Sequence, residues 1–183
     1  TQVSKFAFSH SFNLNEPLFY GEKLHYPFII NLLSGLLLRF THAWTFSILA
    51  PVYVASIGSI ILVFTLYKKY LKNSFFAFCS LLIFFLGGGL SLTITRFDQV
   101  YPIQNVSYGG PLGLVLLHQR SFILGLFIFL IVIWSMHTFY ETHKKRYAFL
   151  FMFPLGFMPL IHTHGFVAAC VAVACFIIYL FFL

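Results

Sequence analysis

The sequence predicts an all-α integral membrane protein: a polytopic helical bundle of about five transmembrane helices with one further helix on the outer surface. Three observations carry this. The 183 residues are 60% hydrophobic and 21% aromatic but only 8% charged, with 26 Phe and a mean hydropathy of +0.92. A soluble domain this apolar would expose large apolar patches, whereas lipid accepts Phe and Leu on every face. Apolar runs long enough for the roughly 20 residues of a membrane crossing alternate with short polar connections. Six of the eleven Lys and Arg residues fall in two of those connections, Lys68-Lys69-Tyr70-Leu71-Lys72 and His143-Lys144-Lys145-Arg146.

The positive-inside tendency places segments 68–73 and 141–146 in the cytoplasm and the other connections outside, with a prokaryotic plasma membrane as the expected location. The net charge of +7 then reads as orientation and interface charge, not as a nucleic-acid surface. Residues 1–25 hold Asn13, Asn15, Glu16, Pro17, Gly21, Glu22, Lys23 and His25, which break any long apolar run. Residues 26–40 are apolar but too few to span, and if they crossed they would put the amino-terminal segment in the cytoplasm. They are expected as an interfacial amphipathic helix within an extracytoplasmic region of residues 1–45. The transmembrane region, residues 46–183, contains helices expected at 46–67, 74–95, 120–141, 147–161 and 165–183. Its outer connections are residues 96–119 and the tight turn His162-Thr163-His164-Gly165. Gly87-Gly88-Gly89 favours close helix packing, and Cys79, Cys170 and Cys175 read as small buried hydrophobes without metal-ligand spacing. The chain begins at Thr1 and ends at Leu183 inside an apolar run, the pattern expected of part of a longer protein.

Chemistry is expected on the outer side. Only four carboxylates exist. Glu141 lies in an inner basic loop as a local salt-bridge partner. Glu16, Glu22 and Asp98 fall outside, where each is either a general base, a metal ligand or a solvated loop charge. His118-Gln119-Arg120-Ser121 opens a helix, and a helix N-terminus favours an anion. A cation there works against the helix dipole unless something negative compensates, so Arg120 reads either as a phosphate ligand or as an arginine snorkelling to headgroups. His162 and His164 flank an outer turn. A metal would need further ligands, which leaves the cofactor open with a divalent cation among the candidates, and hydrogen bonding to protein or substrate phosphate is the plainer role.

The run Glu16-Pro17-Leu18-Phe19-Tyr20-Gly21-Glu22-Lys23-Leu24-His25-Tyr26-Pro27-Phe28-Ile29-Ile30-Asn31-Leu32-Leu33 resembles the first outer loop of polytopic glycosyltransferases of the GT-C superfamily. In that superfamily, which includes protein O-mannosyltransferases and lipid A aminoarabinose transferases, such a stretch leads into an amphipathic helix on the outer surface. Phe46-Ser47-Ile48-Leu49-Ala50-Pro51 is similar to the entry of the family's second transmembrane helix, which ends in a basic inner loop like Lys68-Lys69. Pro111-Leu112-Gly113-Leu114 through Phe122, and Pro159-Leu160-Ile161-His162-Thr163-His164, resemble prokaryotic members. The resemblance implies sugar transfer on the outer face from a polyprenyl-phosphate-linked donor to a lipid, glycan or protein. Glu16, Glu22 and Asp98 are the implied catalytic candidates, with His118, Gln119, Arg120, His162 and His164 on the substrate. The family's usual catalytic acid precedes this loop, so it either lies ahead of Thr1, is replaced by one of these acids, or is missing from an inactive segment. Membrane lipids and other membrane subunits are the remaining expected partners. A non-catalytic membrane scaffold is the alternative reading, and a transporter fragment a weaker third.

Overall fold

The computed structural model describes residues 2–8, 28–86 and 120–182, and every regular element among them is an α-helix. These are α1 (Gln2–Phe8), α2 (Ile29–Thr41), α3 (Trp44–Leu71), α4 (Ser74–Leu86), α5 (Arg120–Thr142), α6 (Lys145–Ile161) and α7 (Thr163–Phe181). Helices stand at each expected position, with edges that differ for physical reasons. α3 continues through Lys68 and Lys69, so these cations belong to a helical last turn, where they complement the dipole. The expected four-residue turn at 162–165 shrinks to His162 alone, because α7 already begins at Thr163.

Three helices, α3, α5 and α7, are long and apolar enough to cross a membrane. The other two expected crossings are shorter: α4 is described over 13 residues, and α6 has 17 with Pro154 and Pro159 inside it. Among the described residues the structure therefore supports an integral membrane protein with three such helices. Residues 87–95, the end of the expected helix 74–95 with Gly87–Gly89, and the whole expected connection at 96–119 lie outside the described residues. The three cysteines are free, and Cys175 is exposed instead of buried as expected. In an apolar helix facing lipid, exposure carries no penalty for so small and weakly polar a side chain.

The chain divides into two compact units, residues 1–62 with 120–183, and residues 63–119. In the second, Asn73 starts α4: its Oδ1 accepts the N–H groups of Phe75 at 2.8 Å and Phe76 at 3.4 Å. This is an ordinary Asn cap, satisfying donors that the helix leaves orphaned. Beyond it Phe75, Phe76, Phe78, Leu82 and Ile83 are exposed, a surface suited to lipid and not to water.

In the first unit α5, α6 and α7 pack on one another, and α2 touches α5 and α6. α5 is the central helix, burying Ile123, Leu124, Gly125, Leu130, Val132, Ser135 and Met136. α3 approaches it where the Phe127 ring lies over Gly58. α2 is amphipathic as expected: Ile30, Ser34, Gly35 and Leu38 recur at helical spacing and are buried, whereas Leu33, Leu36 and Phe40 are exposed. α1 covers part of the buried face, with Val3 and Ala7 against Leu38 and the Phe6 ring 6.1 Å from that of Phe28. The N–H of Phe28 donates to the Leu160 carbonyl at 3.1 Å, which fastens the start of α2 to the end of α6.

Two glycines show opposite uses. A Cβ on Gly35 would lie 2.6 Å from the Phe6 Cβ and 3.0 Å from the Val3 carbonyl oxygen, so only glycine lets α1 lie this close. A Cβ on Gly156 would meet nothing within 4 Å. Gly35→Ala is therefore expected to lower stability by about 1–3 kcal/mol through overpacking. Gly156→Ala should raise it by up to about 1 kcal/mol through helix propensity. Thermal unfolding in detergent, with hydrogen exchange of residues 2–8 reporting α1 docking, checks both signs.

Candidate functional site

Arg120 is the first residue of α5 and is half-buried. One guanidinium nitrogen, Nη1, donates to Asn31 Oδ1 at 3.3 Å, and the other, Nη2, donates to the Ser34 hydroxyl and to the Ile48 carbonyl at 2.8 Å. Asn31 and Ser34 stand three residues apart on one face of α2, the spacing that lets two helical side chains meet one partner. The third acceptor is a main-chain group, the Ile48 carbonyl in the second turn of α3. Ser47, fully buried beside it, donates to the Ala43 carbonyl at 2.8 Å and lies 3.0 Å from the Thr41 hydroxyl, joining the end of α2 to the start of α3.

All three acceptors of Arg120 are neutral, and its Nε is buried without an acceptor among the described residues. The one carboxylate among those residues, Glu141, lies 21 positions along α5, about 32 Å away at 1.5 Å per residue. Glu141 instead pairs with His137, one turn back on the same helix, at an ion-pair distance of 3.4 Å. Among the described residues the charge of Arg120 is thus held by neutral acceptors alone, next to the positive end of the α5 dipole.

His162 forms the junction of α6 and α7 and is 8% exposed. Its Nδ1 accepts the Gly165 N–H at 2.9 Å, so an imidazole serves as the N-cap of α7. Its ring meets Phe122 edge-on at 5.5 Å and His164 at 5.7 Å. α5 admits the junction because residue 125 is glycine: a Cβ there would lie 2.6 Å from the His162 Cβ. His164, in the first turn of α7, is exposed.

Of the expected site residues, Arg120, His162 and His164 are described; Glu16, Glu22, Asp98, His118 and Gln119 lie outside the described residues. Arg120 and His162 stand near the same end of α5, the first on α2 and α3 and the second on Phe122 and Gly125. They form two adjacent sites, each with its own partners. Asn31, Ser34, Ile48 and Gly125 were not expected as part of either. Asn31 and Ser34 carry a readable signal, two polar residues at helical spacing in an apolar stretch. A carbonyl acceptor and a packing glycine carry none. Among the described residues no three His, Cys, Asp or Glu side chains gather in a way that holds a metal.

Burial, and secondly the neighbouring His164, hold the His162 pKa below its ordinary 6.5. The unfolded chain therefore takes up a proton more readily than the folded one. Above about pH 6.5 neither form is protonated and the cap is intact; as the pH falls from there through the folded value, stability is lost. Protonation of Nδ1 also removes the acceptor for Gly165. His162→Asn keeps an N-cap acceptor without the titration. The wild type is expected to lose roughly 1 kcal/mol more than this variant on acidification, measured as the difference between their unfolding temperatures at neutral and mildly acidic pH.

No protein-family model, curated protein or solved structure matches the chain.

Proposed function

We propose that this chain is the membrane-embedded part of a polytopic glycosyltransferase of the GT-C kind, with Arg120 binding the phosphate of a polyprenyl-phosphate-linked sugar. The observation that carries the reading is the Arg120 guanidinium, fixed by Asn31, Ser34 and the Ile48 carbonyl yet facing no carboxylate among the described residues. A cation held by neutral groups beside a helix N-terminus, at the entrance to an apolar span, is suited to an anion at the membrane surface. In sugar transfer the acceptor oxygen attacks the anomeric carbon and the bond to the phosphate oxygen breaks. Negative charge grows on the departing phosphate, and a fixed cation stabilises it there. An outer carboxylate, Glu16, Glu22 or Asp98, takes the acceptor proton in this scheme.

The proposed topology has five crossings, with α4 and α6 added to the three long helices. The segments 68–73 and 141–146 face the cytoplasm, and the Arg120 end of α5 faces outward. α2, amphipathic and tied to α3, α5 and α6 by polar bonds, takes the role of the outer-surface helix. A non-catalytic scaffold is the second reading. It is favoured by the same three bonds, since an arginine linking α2, α3 and α5 has a structural use with no ligand at all.

Arg120→Gln separates the two, because it keeps amide donors for Asn31 and Ser34 while removing the charge. In proteoliposomes of the full-length protein supplied with a radiolabelled polyprenyl-phosphate sugar, it should lower transfer by about 10²–10³-fold, the range seen when one charge-stabilising donor is lost, with little change in unfolding temperature. Unchanged transfer removes Arg120 from the phosphate. No transfer by the wild type leaves the scaffold.

A further inference from the structure

We propose that the corner between α5 and α6, where Lys144, Lys145 and Arg146 project beside a group of aromatic rings, is a docking surface for the anionic headgroups of membrane lipids. This inference rests on α5 crossing a membrane and is independent of the glycosyltransferase reading. His143, Lys144, Lys145 and Arg146 are consecutive and all exposed. Their backbone is fixed: the His143 N–H donates to the Phe139 carbonyl at 2.8 Å, and the Tyr147 N–H to that of Lys144 at 3.0 Å. The three cations therefore leave a small rigid turn and do not lie along a floppy loop.

Arg146 is also oriented by its neighbour. Its guanidinium carbon lies 4.8 Å from the Tyr147 ring centroid, and Nη2 donates to the Tyr147 hydroxyl at 3.1 Å. Most of its five donors remain for a phosphate oxygen. Glu141, the acid of this corner, pairs with His137 at 3.4 Å, and the corner as a whole keeps a net positive charge.

Aromatic and apolar groups fix the depth of this charge. The Tyr147 ring meets Trp134 edge-on at 5.9 Å, and Tyr140 meets Tyr179 of α7 at 5.8 Å. Tyr and Trp collect at the headgroup level of bilayers, where one side of the ring is apolar and the other wet. Immediately beyond, Phe149, Leu150 and Phe153 of α6 are exposed. Cation, aromatic ring and bare apolar surface thus follow one another within three turns of helix, the order met on moving from headgroups into hydrocarbon. A dissolved polyanion would match the cations and leave that apolar surface in water. An anionic lipid matches both, its phosphate on the cations and its chains on the phenylalanines.

The test uses Trp134 as the local reporter. Trp44, the other tryptophan in the chain, is replaced in a Trp44→Phe background. The full chain is reconstituted in vesicles of phosphatidylcholine and phosphatidylglycerol in which one or the other lipid carries brominated chains. Brominated phosphatidylglycerol is expected to quench Trp134 more strongly than brominated phosphatidylcholine. Each substitution Lys144→Gln, Lys145→Gln or Arg146→Gln should weaken this preference about fivefold, the effect of one surface cation on anionic lipid. Lys144→Arg with Lys145→Arg, which keeps the charge, should retain it. Equal quenching by the two lipids in the wild type, or a preference that survives loss of all three cations, overturns the proposal. Loss of the preference on adding inorganic phosphate, but not chloride at equal ionic strength, overturns it too and marks a site for free phosphate.

Discussion

A guanidinium at the mouth of an apolar helix either finds acceptors within the protein or leaves for water, and Arg120 finds them on two other helices. Its bonds to Asn31 and Ser34 fix the rotation of α2, and its bond to the Ile48 carbonyl brings α3 to the same point. The N–H of Phe28 on the Leu160 carbonyl adds α6. In surroundings where dispersion contacts between apolar helices are little better than contacts with lipid, such directional bonds choose one arrangement among many of similar packing energy. Removing the acceptors would leave a partly buried charge with nothing to hold it, a larger loss than the bonds themselves.

The helices were legible because their signals are local. Apolar runs, the polar breaks between them and the paired basic clusters are read residue by residue, and α2, α3, α5 and α7 appear close to where those signals put them. Edges were less legible, since Lys68 and Lys69 mark a polar boundary in composition while lysine is also a good helix former near a C-terminus. Crossings were less legible than helices: α6 is apolar, yet its 17 residues with Pro154 and Pro159 inside make it shorter than α3, α5 and α7. Arg120 stood out as a cation where the helix dipole disfavours one. Its partners did not, because Asn31 and Ile48 are 89 and 72 residues away and nothing local announces a tertiary contact. His162 was expected as a polar group on a turn, and its use as a helix cap depends on the chain re-entering a helix one residue later.

Three of the corners between helices share one solution, and the fourth, at His162, is extended instead. His42, Lys72 and His143 each adopt a left-handed backbone with φ near 52–53°, and each donates its N–H to a carbonyl four residues back. That geometry ends a helix and reverses the chain within two residues. Glycine would adopt it with less strain, but glycine carries no charge. At Lys72 and His143 the corner presents a basic side chain at the same point where the helix stops.

α6 lacks two rungs of its hydrogen-bond ladder, because neither Pro154 nor Pro159 can donate to the carbonyl four residues earlier. Between them lies Gly156, with open space where a side chain would be. Bending stiffness in a helix comes from that ladder and from side chains wedged against neighbours, and here both are thinned within six residues. Any bending of α6 is therefore expected first in this stretch, which leads to His162 and to the carbonyl holding α2.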